Sequence, residues 1–151
     1  MRKVKIAFPT VVFLLIWVLI CSCNKEKKYT RFLEGDWDCV LVKMQDAEGF
    51  TFFDSPAIGS NPSLGKLTID AQQNVSCSVF SEFQTFTTVV KDSLVLNGLV
   101  AFNLKENEIN WVQANDTLKN RIFILNKTDL EFEYYNISLN RRVRYVFHKS
   151  N

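Results

Sequence analysis

Apolar and polar residues alternate in short runs from Phe32 to the end of the chain, and turn-forming residues separate the runs. No apolar spacing of three and four residues is sustained over a helix's length in this part, so the pattern predicts strands and at most minor helix. The predicted strands are residues 37–44, 66–70, 75–80, 83–90, 93–96, 99–104, 108–113, 121–125, 130–135 and 142–148.

The predicted breaks between strands carry turn residues at 70–74, 91–92, 97–98, 105–107, 114–117, 126–129 and 136–140. Asn97-Gly98 is the strongest hairpin signal, because both central residues of a type I′ turn need positive φ. Ser81-Glu82 is a poor turn, so residues 75–80 and 83–90 are, as an alternative, one bent strand.

This arrangement predicts an all-β fold. Short strands with tight connections, and no helices for parallel crossovers, indicate an antiparallel meander. A meander that closes into a small β-barrel of eight to ten strands leaves no exposed edge. The alternative is a two-sheet β-sandwich.

The first 22 residues are typical of an export signal. Three basic residues lie within Met1 to Lys5, the densest apolar run covers residues 11–21, and a charged segment follows Cys23. The alternative is a membrane-spanning helix, but residues 6–22 are interrupted by Pro9 and fall short of the roughly 20 residues that crossing requires.

Leu19-Ile20-Cys21-Ser22-Cys23 resembles the lipobox of bacterial lipoproteins, in which an aliphatic, a variable and a small residue precede an invariant cysteine. The resemblance implies cleavage before Cys23, acylation of this residue, including fatty acids such as palmitate, and anchoring to a lipid bilayer. Asn24 is not the aspartate that holds some lipoproteins in the inner membrane, so we expect a cell-envelope protein of the outer membrane.

Removing the signal removes three basic residues and leaves 15 basic and 16 acidic residues, so net charge gives no reason to expect binding to nucleic acid or to an anionic membrane. Residues 23–31 are predicted to be a lipidated, solvated tether, and residues 32–151 form one barrel domain. Four of the eight residues 24–31 are Lys or Arg. The alternative to a solvated tether is that these basic residues form a functional patch.

Gly35 and Trp37 open the first strand as in the lipocalin-like domains of many bacterial lipoproteins. The segments Gly65-Lys66-Leu67-Thr68-Ile69-Asp70, residues 124–132 and Tyr145-Val146-Phe147-His148-Lys149 are similar to later strands of that family and follow in the same order. The resemblance implies a lipocalin-like barrel. It also implies a basic residue packed over Trp37, for which Arg142 and Arg144 are the candidates.

The same resemblance implies that the barrel binds a small hydrophobic ligand. After cleavage the chain keeps 17 aromatic residues among 129, which either line a pocket or fill it. Alternation predicts four inward-facing sets: Trp37, Cys39 and Leu41; Leu67 and Ile69; Val75, Cys77 and Val79; Val143, Tyr145 and Phe147.

The longest irregular stretch, residues 45–65, carries Phe50, Phe52, Phe53 and Ile58. It is predicted either to cover the barrel mouth as a lid or to form a short extra strand at residues 50–53. The candidate ligand contacts are Trp37, Phe50, Phe52, Phe53 and Trp111.

No residue pattern indicates catalysis, a cofactor or a metal. His148 is the single histidine and is expected at the surface. Asp129, Glu131 and Glu133 alternate along one strand face and are expected to be an exposed acidic stripe rather than a calcium site. Cys39 and Cys77 are expected to be buried free thiols, with a disulfide as the alternative.

The sequence therefore leaves two main hypotheses for the function. The first is a membrane-tethered barrel that binds a small hydrophobic ligand, and the alternative is a non-catalytic envelope scaffold or interaction subunit with a filled core and an unknown protein partner. Hydrolysis of envelope components is a remote third.

Overall fold

The computed structural model describes residues 26–46, 48–49, 52–57, 63–114 and 116–150. Within them, residues 26–33 are helical and are called α1. The strands are β1 Gly35–Gln45, β2 Phe52–Pro56, β3 Gly65–Ile69, β4 Asn74–Gln84, β5 Val89–Asn103, β6 Glu108–Gln113, β7 Asp116–Leu125, β8 Asp129–Asn136 and β9 Arg141–Lys149.

The strands form one antiparallel sheet in which β3 to β9 lie in chain order. β9 returns to β1 and pairs with it from Trp37 to Met44, so eight strands close into a barrel. β2 and β3 share the other edge of β1, where β3 pairs with residues 35–38 and β2 with residues 41–45. The predicted all-β barrel is confirmed, and the alternative of two separate sheets is not what forms.

The barrel has two distinct ends. The turns at 70–73, 104–107 and 126–128 lie at the end where α1 packs, which we call the closed end. The turns at 85–88 and 137–140 lie at the opposite, open end. This follows from the antiparallel order, because successive turns of a meander alternate between the two ends.

Strand alternation buries the residues that it predicts. The inward sets that are buried are Trp37 and Cys39; Leu67 and Ile69; Val75, Cys77 and Val79; Val143, Tyr145 and Phe147. Leu41 was predicted wrongly. A register shift between Cys39 and Leu41 reverses the alternation in β1, so Val42 and Met44 are the buried residues instead.

The predicted hairpin at Asn97-Gly98 is wrong. β5 runs through both residues, which pair with Ser76 and Val75 of β4. A Cβ atom on Gly98 would lie 2.1 Å from the carbonyl oxygen of Val112, so glycine is required by the close approach of β6. The Asn-Gly pair thus lies where β5 changes its partner from β4 to β6 rather than at a turn.

The turn between β4 and β5 lies at residues 85–88, inside a predicted strand. β4 continues through Ser81-Glu82, as that poor turn signal suggested, while the predicted break at residues 91–92 is wrong because β5 continues there. Thr85 and Thr88 build the actual turn. The Thr85 hydroxyl donates to the Thr88 carbonyl at 2.7 Å and accepts from the Thr88 amide at 3.1 Å.

The barrel wall is incompletely paired near the open end. β5 pairs with β6 only over residues 99–103, although it pairs with β4 over residues 89–99. β8 pairs with β7 only over residues 130–133. Near the open end, β5 is therefore connected to β8 and β9 by hydrogen bonds between side chains rather than by backbone pairing.

α1 departs from the predicted tether. Tyr29 lies 6.0 Å from the ring of Phe102, and Leu33 is 1% exposed within the core. Tyr29, Phe32 and Leu33 have the three- and four-residue spacing of an amphipathic helix. The predicted boundary between residues 31 and 32 divided this stripe, and the helix was missed.

Candidate binding site in the barrel interior

Large side chains fill the middle of the barrel. Phe132 stacks on Tyr145 and on Phe147, with ring centroids 5.7 Å apart in each case. Trp111 meets Phe132 edge-on at 5.3 Å. All four rings are fully buried. The aromatic residues that could either line or fill a pocket thus fill this part of the interior.

Trp37 lies at the closed end. Its Nε1 donates to the carbonyl of Leu33 at 2.8 Å, which ties β1 to α1. The ammonium of Lys149 lies 4.9 Å from the indole centroid and donates to the carbonyls of Phe32 and Glu34. Trp37 is therefore held between a helix and a cation, far along the barrel from the open end.

The cation over Trp37 was assigned to the wrong residue. The prediction named Arg142 and Arg144, but Lys149 occupies the position. Arg142 is exposed, and Arg144 faces outward from β9. Both arginines are even-numbered neighbours of the inward Val143 and Tyr145, so alternation directs them away from the interior.

Phe52 lies on the outer wall. The guanidinium of Arg144 is 3.8 Å from the Phe123 ring and 5.3 Å from the Phe52 ring. The same guanidinium forms ion pairs with Glu131 at 3.3 Å and Glu133 at 3.1 Å. The prediction of an exposed acidic stripe is wrong here, because Arg144 pairs with both carboxylates and Glu133 is buried while Glu131 is half-buried. Phe52 belongs to this outer cluster rather than to an interior site.

Phe53 lies at the rim of the open end. It packs against the core, and its ring meets that of Phe86 edge-on at 5.6 Å. Phe86 is 90% exposed. The short-strand alternative is confirmed from Phe52 onward, since β2 begins there. Phe50 and Ile58 lie outside the described residues, so the lid stays a prediction.

A buried polar cluster lies in the open half of the interior. The Asp92 carboxylate accepts a hydrogen bond from the Tyr145 hydroxyl at 2.6 Å and one from Asn136 Nδ2 at 2.8 Å. Asn136 Nδ2 also donates to the Tyr134 hydroxyl at 3.1 Å. We call these four residues the polar cluster. It joins β5 to β8 and β9 where backbone pairing is missing.

The tyrosines of the polar cluster are held neutral. Burial raises the pKa of the Tyr145 hydroxyl far above its ordinary value, and the neighbouring Tyr134 and Asp92 raise it further. Burial also raises the pKa of Tyr134, with Asp92 adding to the effect. Both hydroxyls therefore keep their protons at physiological pH, and that of Tyr145 serves as a donor.

Sequence reasoning missed Asp92 because residues 91–92 were taken as a break. The signal was available, since Asp92 continues the alternation of Val90, Leu94 and Leu96 along β5. A carboxylate in an inward position of an otherwise apolar series is unusual and points to a specific interaction.

Trp111 and Asn120 present unpaired polar atoms inside the barrel. Asn120 Nδ2 donates to the carbonyls of Ile109 and Leu118, at 3.1 and 2.7 Å. Its Oδ1 and the Nε1 of Trp111 are buried and have no hydrogen-bond partner among the described protein atoms. Both side chains lie at inward positions of the neighbouring strands β6 and β7. The interior thus offers one free donor and one free acceptor, which buried groups seldom do.

The four candidate ligand contacts that the structure describes are not brought together. Trp37 lies at the closed end, Phe52 on the outer wall and Phe53 at the rim of the open end, while Phe50 is outside the described residues. Trp111 is the one among the described four that lies in the interior with a free polar atom.

Cys39 and Cys77 are buried free thiols. Burial raises the pKa of both, to about 12 for Cys77, and Cys77 adds to the rise at Cys39. Thiols with so high a pKa are almost wholly protonated at neutral pH and are poor nucleophiles.

The described residues contain no group of three or more His, Cys, Asp or Glu side chains that could hold a metal ion. His148 is exposed, as predicted, and its Nδ1 lies 3.4 Å from the Asp129 carboxylate. No helix in the described part of the chain is long and apolar enough to cross a membrane.

Comparison of the sequence with protein-family profiles and with curated proteins finds no match. Among solved structures, the chain is similar to a deswapped triple mutant of the bovine odorant-binding protein. The TM-score is 0.36 at 12% sequence identity, over 79% of this chain and 74% of that one.

Proposed function

We propose that this chain is a lipid-anchored, non-catalytic protein of the bacterial cell envelope whose barrel binds a small hydrophobic ligand carrying one polar group. Cys23 supplies the anchor through its acyl chains, and the outer membrane is its location. The ligand lies in the barrel interior beside Trp111 and Asn120, at the edge of the packed aromatic rings.

The free polar atoms of Trp111 and Asn120 carry the proposal for the ligand. An indole N–H and an amide oxygen at inward positions of adjacent strands suit a group that both accepts and donates, such as a hydroxyl or a protonated carboxyl. The apolar side chains around them suit a hydrocarbon body. Fatty alcohols and fatty acids are therefore the first ligands to test.

Native mass spectrometry of the purified protein, followed by solvent extraction, tests for a bound small molecule. Fatty alcohols and fatty acids are then titrated in isothermal titration calorimetry, which does not depend on either tryptophan. We expect Trp111→Phe to weaken binding about 2- to 10-fold, as the loss of one hydrogen bond predicts. Trp37→Phe is the matched control, because the Trp37 Nε1 already has a protein partner, and its affinity should not change. A protein with no extractable molecule and no saturable binder would contradict the proposal.

The anchor has a separate test. Cells that express the protein and are fed radiolabelled palmitate should label it, and Cys23→Ser should abolish the label. We expect Cys39→Ser to leave labelling unchanged, because that thiol is buried. Labelling that persists in the Cys23 variant would contradict acylation at this residue.

A scaffold with a filled core is the second candidate. The buried stack of Phe132, Tyr145 and Phe147 favours it, because this part of the interior is already packed. It predicts that no ligand of the panel binds, and that the protein is recovered from its envelope in complex with another envelope protein.

A further inference from the structure

A basic cleft lies at the closed end of the barrel, beside the proposed lipid anchor. Its volume is about 670 Å³. It is lined by Lys27, Lys28, Arg31, Phe32, Lys127 and Lys149. α1 supplies the first four of these residues, the β7–β8 turn supplies Lys127, and β9 supplies Lys149.

The cleft joins three separate parts of the chain into one positive surface. Its lining in the described structure holds five cationic side chains and no acidic one. Lys27, Lys28, Arg31 and Lys127 are exposed, so their charges face solvent. Sequence alone showed only the basic residues before Phe32, and folding adds Lys127 and Lys149 to them.

Phe32 is the apolar residue in the lining of the cleft. The Lys28 ammonium lies 5.4 Å from the centroid of the Phe32 ring. Lys149 donates to the Phe32 carbonyl at 3.1 Å, so the same residue is held from its backbone side. An aromatic ring in a cleft that is otherwise lined by cationic side chains suits a ligand that has an anionic group beside an apolar part.

The position of the cleft near the proposed anchor indicates which kind of ligand it can meet. Only two residues separate Cys23 from Glu26 of α1 in the sequence, and this length of chain limits their separation to about 11 Å. The cleft is therefore close to the membrane surface whenever the anchor is inserted. Anionic headgroups attract Lys and Arg side chains over this range.

We propose that the basic cleft binds the headgroup phosphate of an anionic phospholipid, with the Phe32 ring against the glycerol and upper acyl carbons. This second contact holds the closed end of the barrel on the bilayer and directs the open end away from it. The inference rests on the proposed lipid anchor for the presence of a lipid surface.

The test uses the chain from residue 23 onward with Cys23→Ser, which keeps every described residue and carries no acyl chain. Co-sedimentation is measured with vesicles of phosphatidylcholine alone and with vesicles that contain phosphatidylglycerol. We expect binding to the anionic vesicles only, and a loss of about tenfold or more in the Lys28→Glu/Lys127→Glu variant. Lys119→Glu, an exposed lysine on β7, is the control and should have a smaller effect.

Equal binding to neutral vesicles, or equal losses in the cleft and control variants, would overturn the cleft as a headgroup site. Full displacement by low-millimolar inorganic phosphate would also overturn it, because the partner would then be a free anion. Palmitate labelling at Cys23 is measured independently, so a failed anchor and a failed cleft are distinguishable. A circular dichroism spectrum unchanged in each variant shows that the barrel is intact.

Discussion

Asp92 connects three strands through one carboxylate. Its two oxygens accept from Tyr145 of β9 and Asn136 of β8, while its backbone belongs to β5. Asp92→Ala would leave the buried Tyr145 hydroxyl without an acceptor and remove one of the two hydrogen bonds of the half-buried Asn136 amide, so we expect a loss of about 1–3 kcal/mol in the free energy of unfolding. Urea denaturation measures it, with the exposed neighbour Ser93→Ala as the control. Equal stability of the two variants would show that the cluster contributes nothing to closing the wall.

Lys149 connects α1 to β1 at the closed end of the barrel. It touches the Trp37 ring and two carbonyls at the end of α1, so Lys149→Ala should lower the free energy of unfolding by about 1–3 kcal/mol. Arg142→Ala is the matched control, since Arg142 is exposed, and we expect a change within about 0.5 kcal/mol. Chemical denaturation compares the two. A larger loss for Arg142→Ala would restore the original assignment of the cation.

At the scale of an element, substitutions at Gly98 and Asn97 distinguish a strand from a turn at these residues. Because β6 passes so close, Gly98→Ala forces β5 and β6 apart and should destabilise the fold by about 2 kcal/mol. Asn97→Ala should change stability by less than about 0.5 kcal/mol, since Asn97 is an exposed strand residue. Thermal or urea unfolding measures both. A large loss for Asn97→Ala would instead indicate the type I′ turn, where Asn supplies positive φ.

Most strands could be predicted because alternation reports directly on a half-buried sheet. β4 shows this, since every second residue from Val75 to Phe83 is buried. The errors occur where a second requirement overrides the local pattern. Glycine is required at position 98 because β6 passes too close for a side chain. The register shift in β1 turns Leu41 away from the interior position that alternation predicts for it. Neither requirement can be read from nearby residues, because each depends on a partner strand.

The candidate site was less predictable than the fold for a similar reason. The polar cluster depends on Asp92 meeting Tyr145 and Asn136, which are more than 40 residues away in sequence. Trp111 was predicted from its residue type alone, and its free Nε1 is visible only once its neighbours are placed. Composition shows that the chain is rich in aromatic residues, but it gives no information on which of them face the interior.

At the scale of the whole molecule, the barrel interior holds four weakly acidic groups from strands β1, β4, β8 and β9. The thiols of Cys39 and Cys77 and the hydroxyls of Tyr134 and Tyr145 all have raised pKa values, with burial as the largest cause. In the unfolded chain these groups ionise near their ordinary values of 9.0 for cysteine and 10.0 for tyrosine. The folded barrel therefore binds more protons than the unfolded chain at alkaline pH.

This difference predicts the pH dependence of stability. The contribution of the four groups is complete below about pH 8.5 and is lost as pH rises, first through the cysteines and then through the tyrosines. We expect the free energy of unfolding to fall by about 1.4 kcal/mol per pH unit for each group ionised only in the unfolded chain. Urea denaturation at pH 7.5, 9.5 and 10.5 measures the decline. The Cys39→Ala/Cys77→Ala variant should decline less between pH 7.5 and 9.5, because only the tyrosines then contribute. A free energy that stays constant to pH 10.5 would mean that these groups reach solvent in the folded protein.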